Sequence, residues 1–481
     1  MKRLNGMDAM LLYSETPNLH THTLKVAIVN AAEFDGQFDF GVFRRTIERR
    51  LHLLDPLRYR LVNIPWRLHH PMWLQHCEVD LDYHLRRVQV AAPGGRRELD
   101  RLIGEIASTP LDRSRPLWEF HFAEGMADSR FALIGKVHHA LADGVASANL
   151  LARLMDLAGA AQDERDLPDG CAVPSKSELL WEAQLDHFHQ MAALPRLVRD
   201  AARGIARVRR RARERPADPD MAKIFQAPPT FLNHVVSPVR TFATATLSLA
   251  EVKETAKSLG VTFNDVVLSM AAGALRELLL RYDGRADRPI IATVPIATDR
   301  APDRITGNQI GGLVVSLPVH VDDPRERIRL TSRATAEAKE ENELLGPTLQ
   351  ARLMDYLPPP VAPALFRTQG KHTAHNKMMN VAVSSVPGPR ERGHIGGAPV
   401  SEIYSVGVLS AGSAFNMTVW SYVDQVDIAV LSDDQTFDDV HEATDAMVHA
   451  FSELRRAAGF SGEPTMVDTA MAPATASGPT G

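Results

Sequence analysis

The sequence predicts a mixed α/β protein of two lobes, with helices flanking mixed sheets, joined by a basic helical linker. Three observations carry this reading. Short β-type runs alternate with helical periodicity along most of the chain. At 481 residues the chain is too long for one ordinary core. A break rich in Pro and Asp, 216–229, follows an arginine-rich helical stretch and divides the chain there. The first lobe is placed over 1–177, the linker over 178–230 and the second lobe over 231–460. The tail, 461–481, is Ala, Pro, Gly, Ser and Thr with little to bury, and is expected to be disordered.

The run 24–29 alternates and predicts a strand. Helical spacing covers 43–54 and 98–107. The apolar run 131–137 predicts a second strand, ending at His138-His139. A turn follows, then a helix over 145–157, whose Leu150, Leu151, Leu154 and Leu157 make one apolar face. From 178 to 215 the pattern is helical and increasingly basic. A helix over 249–259 stops at Gly260, suited to a helix C′ position. Thr262 and Asp265 have the spacing of a weak capping box for the next helix, which runs to Tyr282 and stops near Gly284. The runs 290–294, 313–317, 380–384, 414–422 and 426–431 predict strands, the last two a hairpin across Asp424-Gln425. A helix over 437–458 closes the folded chain, and no internal repeat is evident.

Composition narrows the function classes. Hydrophobic residues at 44% and charged residues at 23% are globular values, and a net charge of -5 excludes a general polycation for nucleic acid. Two cysteines, Cys77 and Cys171, exclude a disulfide framework and a CxxC metal or redox site. One accidental bridge is the alternative; reduced thiols in a cytosolic chain are the expectation. The N-terminus has no apolar core or cleavage site of a signal peptide. The best apolar stretch, 266–280, is broken by Ser269, Arg276 and Glu277 and predicts a core helix, so membrane contact is expected to be peripheral.

The sharpest feature is His138-His139-Ala140-Leu141-Ala142-Asp143-Gly144, where a strand gives way to a helix. Adjacent strand residues point to opposite faces, so one histidine should face a cleft and the other pack inward. An imidazole titrates near neutrality and suits general-base work. Asp143-Gly144 launches the helix, and a buried carboxylate there needs a partner, so Asp143 is read as a brace. Paired histidines are also ordinary packing or surface residues. A metal reading, with His139 and Asp143 as ligands, lacks an obvious third ligand, and no metal is expected.

The motif resembles the HHxxxDG active-site motif of chloramphenicol acetyltransferase-like enzymes, which include peptide-synthetase condensation domains. Other blocks narrow it. Leu4-Asn5-Gly6-Met7-Asp8-Ala9 with Glu15-Thr16-Pro17, Pro116-Leu117-Trp118-Glu119, Asn264-Asp265-Val266-Val267, Gly307-Asn308 and Ser384-Ser385-Val386-Pro387-Gly388-Pro389 resemble, in order, blocks of the bacterial wax ester synthase/diacylglycerol acyltransferase family. Ser385 stands where that family usually has Asn, and Tyr404-Ser405-Val406 lacks a proline that often follows the Tyr.

The resemblance implies two chloramphenicol acetyltransferase-like lobes meeting at a tunnel. It implies His139 as base, with His138, Asp143 and Gly144 supporting it. The reaction it implies is direct transfer from long-chain acyl-CoA to diacylglycerol, a fatty alcohol or both, with no acyl-enzyme. No GxSxG elbow and no cysteine near a recognisable His partner is present, which agrees. No cofactor is expected, since acyl-CoA is a substrate. Asn264 is read as a polar contact near the site or as a helix cap, and Trp118 as lining the lipid path or as core. The rival readings are a condensing acyltransferase fed by a carrier-protein thioester, and a catalytically idle lipid-surface protein on the same fold.

Arg196, Arg199, Arg203, Arg207 and Arg210 share one helical face, and Leu194, Leu197, Ala201, Ile205 and Val208 lie on another. Such a helix suits an anionic membrane or lipid-droplet surface. A solvated inter-lobe helix and capture of the coenzyme A phosphates are the alternatives. Nucleic acid is disfavoured because no aromatics interleave with the arginines. The location expected is cytoplasmic, with peripheral attachment to a membrane.

Overall fold

The computed structural model describes residues 1–34, 36–157, 171–215, 220–222 and 225–466. The expected disorder of the tail falls mostly on 467–481, outside the described residues, as does part of the 216–229 break. Two six-stranded mixed sheets dominate the described residues. The first has the order His394–Ile395, Ala398–Val406, His22–Asn30, Arg130–His138, Trp118–Glu124, Leu85–Gln89. Its pairings are antiparallel except the last. The second has the order Ile310–Leu317, Ile290–Ala297, Val381–Pro387, Phe415–Tyr422, Gln425–Asp433, Arg240–Ser248, with Val381–Pro387 parallel to both neighbours.

Alternation explains the first sheet. Leu24, Val26 and Ile28 pack to one side, with Leu99 and Ile103 of helix Arg96–Ala107. Ala27 and Val29 pack to the other, with Leu150 and Leu154 of helix Gly144–Leu154. Helix Arg96–Ala107 lies on strand Arg240–Ser248 so closely that a Cβ at Gly104 would stand 2.8 Å from the Arg240 carbonyl. The second sheet is covered by helix Phe263–Tyr282, whose run from Asp265 to Leu275 is buried all round. Thr262 and Asp265 form the capping box, and Gly260 ends the preceding helix at φ 69°. Among the described residues no single helix is long and apolar enough to cross a membrane. The bent pair Leu249–Leu259 and Phe263–Tyr282 passes by composition, but the second helix is core.

Several expectations need correction. Strand Ala398–Val406, from the second half of the chain, completes the first sheet against His22–Asn30, so that sheet does not follow the lobe boundary drawn at 230. The last hairpin turns on Val423-Asp424, because Tyr422 pairs with Gln425. The helix over 43–54 is Phe40–Arg50 followed by a 3₁₀ turn, Leu51–Leu53. Cys77 and Cys171 are joined in a disulfide, not reduced; their proximity, Cα atoms 4.8 Å apart across 94 residues, is a tertiary fact with no local signal.

Helix Lys176–Glu214 spans 39 residues and docks at both ends. Its Leu179 and Ala183 pack on Ile64 and Met72. Further along, a Cβ at Gly204 would lie 2.4 Å from the Leu345 carbonyl, Arg207 donates to the Leu344 carbonyl, and Arg211 pairs with Glu340 at 2.6 Å.

Candidate active site

Strand Arg130–His138 delivers the two histidines to opposite environments. His138 is fully buried. Its Nδ1 accepts from the Ala140 N–H at 3.1 Å, so the ring proton sits on Nε2 and is donated to Thr21 Oγ1 at 2.9 Å. Burial, with Arg113 nearby, pushes its pKa well below the ordinary value. Both nitrogens are engaged and no lone pair is left for a substrate. His139 is partly exposed; its Nδ1 has no hydrogen-bond partner, and its own carbonyl accepts from Asn308 Nδ2 at 2.8 Å. Burial lowers its pKa, and the ammonium of Lys25 adds to that. A neutral imidazole is what a base near pH 7 requires.

Asp143 caps helix Gly144–Leu154 and is buried with both oxygens engaged. Oδ1 accepts from Ala146 N–H at 2.9 Å and Arg304 Nη2 at 3.0 Å. Oδ2 accepts from Gln309 N–H at 2.9 Å and faces Arg304 Nη1 at 2.9 Å. The segment around Arg304 clamps the motif. Gly307, at φ 79°, donates to the Leu141 carbonyl at 2.7 Å and accepts from Asp143 N–H at 3.2 Å. Asn308 donates its backbone N–H at 2.9 Å and its amide at 2.8 Å to Asp8 Oδ1. Burial lifts the Asp8 carboxyl to about 7. A Cβ on Gly144 would meet a Val386 methyl at 3.4 Å, which brings the Val381–Pro387 strand against the start of the helix.

An apolar cavity of about 60 Å³ lies beneath that helix, lined by Val137, Ser147, Leu150, Leu154 and Phe120, with Lys25 on its wall. Lys25 Nζ donates to Ser405 Oγ at 2.5 Å and stands 5.6 Å from the Trp420 ring centre; burial lowers its pKa to about 8.

The wax ester synthase/diacylglycerol acyltransferase catalytic domain matches residues 4–267, and that family's C-terminal domain matches 306–455. The chain belongs to the wax ester synthase/diacylglycerol acyltransferase family. A Mycobacterium tuberculosis protein designated a candidate diacylglycerol O-acyltransferase is 53% identical over 474 residues, 98% of this chain and 100% of that protein. The solved wax ester synthase/diacylglycerol acyltransferase of Marinobacter aquaeolei is 27% identical with a TM-score of 0.66, covering 95% of this chain and 100% of that one. The first condensation domain of the calcium-dependent antibiotic synthetase superposes with a TM-score of 0.57 at 17% identity, over 98% of each chain, and shares the fold.

Trp118 takes the core position of its two readings. It is fully buried, donates Nε1–H to the Leu57 carbonyl at 2.7 Å and stacks on His84 at 4.4 Å, so its polar end and one face are occupied by the core. Asn264 is not the cap of its helix, since Thr262 holds that position, and the Asp265 of the same turn meets Ser332 at 3.3 Å, not the histidine loop. Ser385 stands in the strand one residue before Val386, which packs at Gly144. Among the described residues no three His, Cys, Asp or Glu side chains converge as a metal site. Sequence reasoning missed Arg304 and Lys25. Nothing local marks either one: alternation gives Lys25 the polar position of its strand, and only tertiary packing against helix Gly144–Leu154 buries that face.

Proposed function

We propose that this acyltransferase moves a long-chain acyl group from acyl-CoA to the hydroxyl of diacylglycerol, a fatty alcohol or both, with His139 as general base. The observation that carries the reading is the split between the two histidines: His138 is fully buried with both ring nitrogens bonded internally, while His139 is partly exposed. The acceptor hydroxyl gives its proton to His139 as its oxygen attacks the thioester carbonyl carbon. The tetrahedral intermediate collapses, the C–S bond breaks, and the imidazolium returns the proton to the departing thiolate. Asp143 and Arg304 hold the loop that aims the ring. No acyl-enzyme, metal or other cofactor enters the scheme. The family match and the Marinobacter wax ester synthase support the donor and acceptor classes.

We place the protein peripherally at a lipid surface, reached through the helix bearing Arg196 to Arg210. A cytoplasmic location loses the support it drew from reduced thiols, since Cys77 and Cys171 are bonded. The deciding experiment incubates pure protein with labelled palmitoyl-CoA and a panel of alcohols and resolves the lipid products. His139→Ala should stay folded and lose roughly 10²–10⁴-fold in rate. Near-normal turnover in a folded His139→Ala protein would sink the mechanism, and inactivation by EDTA reversed by zinc would reinstate a metal.

A further inference from the structure

Helix Lys176–Glu214 does not present the amphipathic surface its arginine half suggests. There Leu197 and Gly204 are buried, Gly204 against Leu345 at the end of helix Pro324–Leu345, so part of that apolar face is occupied within the protein, while Leu194 and Ile205 are exposed. The most exposed apolar side chains lie in the first half of the helix. Trp181 is 66% exposed, Phe188 72% and Met191 72%, at steps of seven and three residues that keep them on the side away from buried Leu179 and Ala183. Leu185 and Val198 extend the row. The turn carrying Trp66, 77% exposed, lies beside it, tied by His187 Nε2, 2.8 Å from the Leu68 carbonyl. Trp66 and Arg67 both take left-handed backbone, φ 52° and 54°, a strained conformation for such residues.

Charge selects the occupant. Arg67, Arg203, Arg209 and Arg210 are exposed and have no carboxylate partner among the described residues, whereas Arg211 and Arg215, which face the protein, are paired with glutamates. Two exposed indoles, an apolar row and unneutralised guanidinium groups beside it match a bilayer of anionic phospholipid: the rings and apolar side chains enter the headgroup boundary, and the arginines meet phosphate.

We infer that the row Trp181, Leu185, Phe188 and Met191, with Trp66, is the bilayer-contacting face of this protein, and that the arginines farther along the helix supply attraction and not insertion. This rests on the reading that the substrates are lipids. It revises which side chains do the docking.

The protein carries its own reporters. Of its five tryptophans, Trp73, Trp118 and Trp420 are buried, so any emission change on lipid binding comes from Trp66 and Trp181. The full chain is mixed with vesicles of phosphatidylglycerol and phosphatidylcholine. Tryptophan emission should shift to the blue, and Trp66→Phe/Trp181→Phe should abolish the shift while sedimentation with vesicles persists. Phe188→Ser and Met191→Ser, at exposed positions, should each weaken partitioning about tenfold, the effect expected when a buried large apolar contact is lost. Arg203→Gln/Arg210→Gln should weaken it on anionic vesicles and leave the small residual binding to pure phosphatidylcholine unchanged. Transfer to a dispersed short-chain alcohol should be the same in all these variants, which separates this inference from the assignment of His139. An unshifted wild-type spectrum, or serine variants that partition as wild type does, would overturn it. So would a lipid-free dimer dissolved by Phe188→Ser, which would make the row a contact between copies.

Discussion

Lys25 shares its strand face with buried Ala27 and Val29, and it faces the cavity below the motif helix. Its charge holds down the pKa of His139, second to burial in the same direction. Lys25→Met removes that charge, so the His139 pKa should rise and the acid limb of kcat/KM should move to higher pH. A merely structural lysine would lower kcat and leave the limb in place. Asp8 offers a second test. Its carboxyl is lifted by burial from 3.8 to about 7, so between those values the folded protein keeps a proton the unfolded chain has lost. Stability from this group is therefore greatest below the lower value and falls as pH rises through the window. Thermal melts from pH 4 to pH 8 should decline less steeply in Asp8→Asn; identical slopes would place the proton elsewhere. At this scale the motif histidines were legible because they are contiguous. The division of labour between them was half legible: alternation put them on opposite faces, but only Thr21 and the Ala140 N–H show which one is occupied.

Elements were legible where their signals were local. Gly260 ends one helix and Thr262 starts the next, each through bonds within a few residues. The long helix was legible as a helix and illegible as a packed one. Gly204 exists as glycine because the Leu345 carbonyl approaches it. Gly204→Ala should push the two helices apart and destabilise the fold by roughly 1–3 kcal/mol, the usual penalty for overpacking. The melting temperature should drop, while transfer measured well below it is retained, since the contact lies in a different part of the fold from His139. An unchanged melting temperature would show that this contact carries no weight.

At the scale of the molecule, the motif loop is held by a segment 161 residues away in sequence. Arg304 neutralises buried Asp143, and removing one partner of a buried pair leaves an uncompensated charge that commonly costs about 3–5 kcal/mol. Arg304→Met should lower stability and activity together. Combined with Asp143→Asn, it should do less harm than the two single effects added, because the double variant strands no charge. Strict additivity in melts and rates would mean that the pair does not act as a unit. The Asp143 cap and the Arg304 clamp fix the loop that carries the two histidines.

By itself the sequence determined the period-2 and period-3.6 elements, their caps, the HHxxxDG string and, through ordered blocks along the whole chain, the family. All of these are carried by residues near one another or by recognisable local patterns. Tertiary structure alone decided that Ala398–Val406 completes the first sheet, that Arg304 finds Asp143, that Cys77 meets Cys171, that Trp118 is core, and which face of the long helix stays free. A strand's own alternation states that it has two faces but not which strand lies beside it, and a helix's apolar stripe does not say whether protein or lipid covers it. Those choices depend on the packing of distant segments, and that information is absent from any local window.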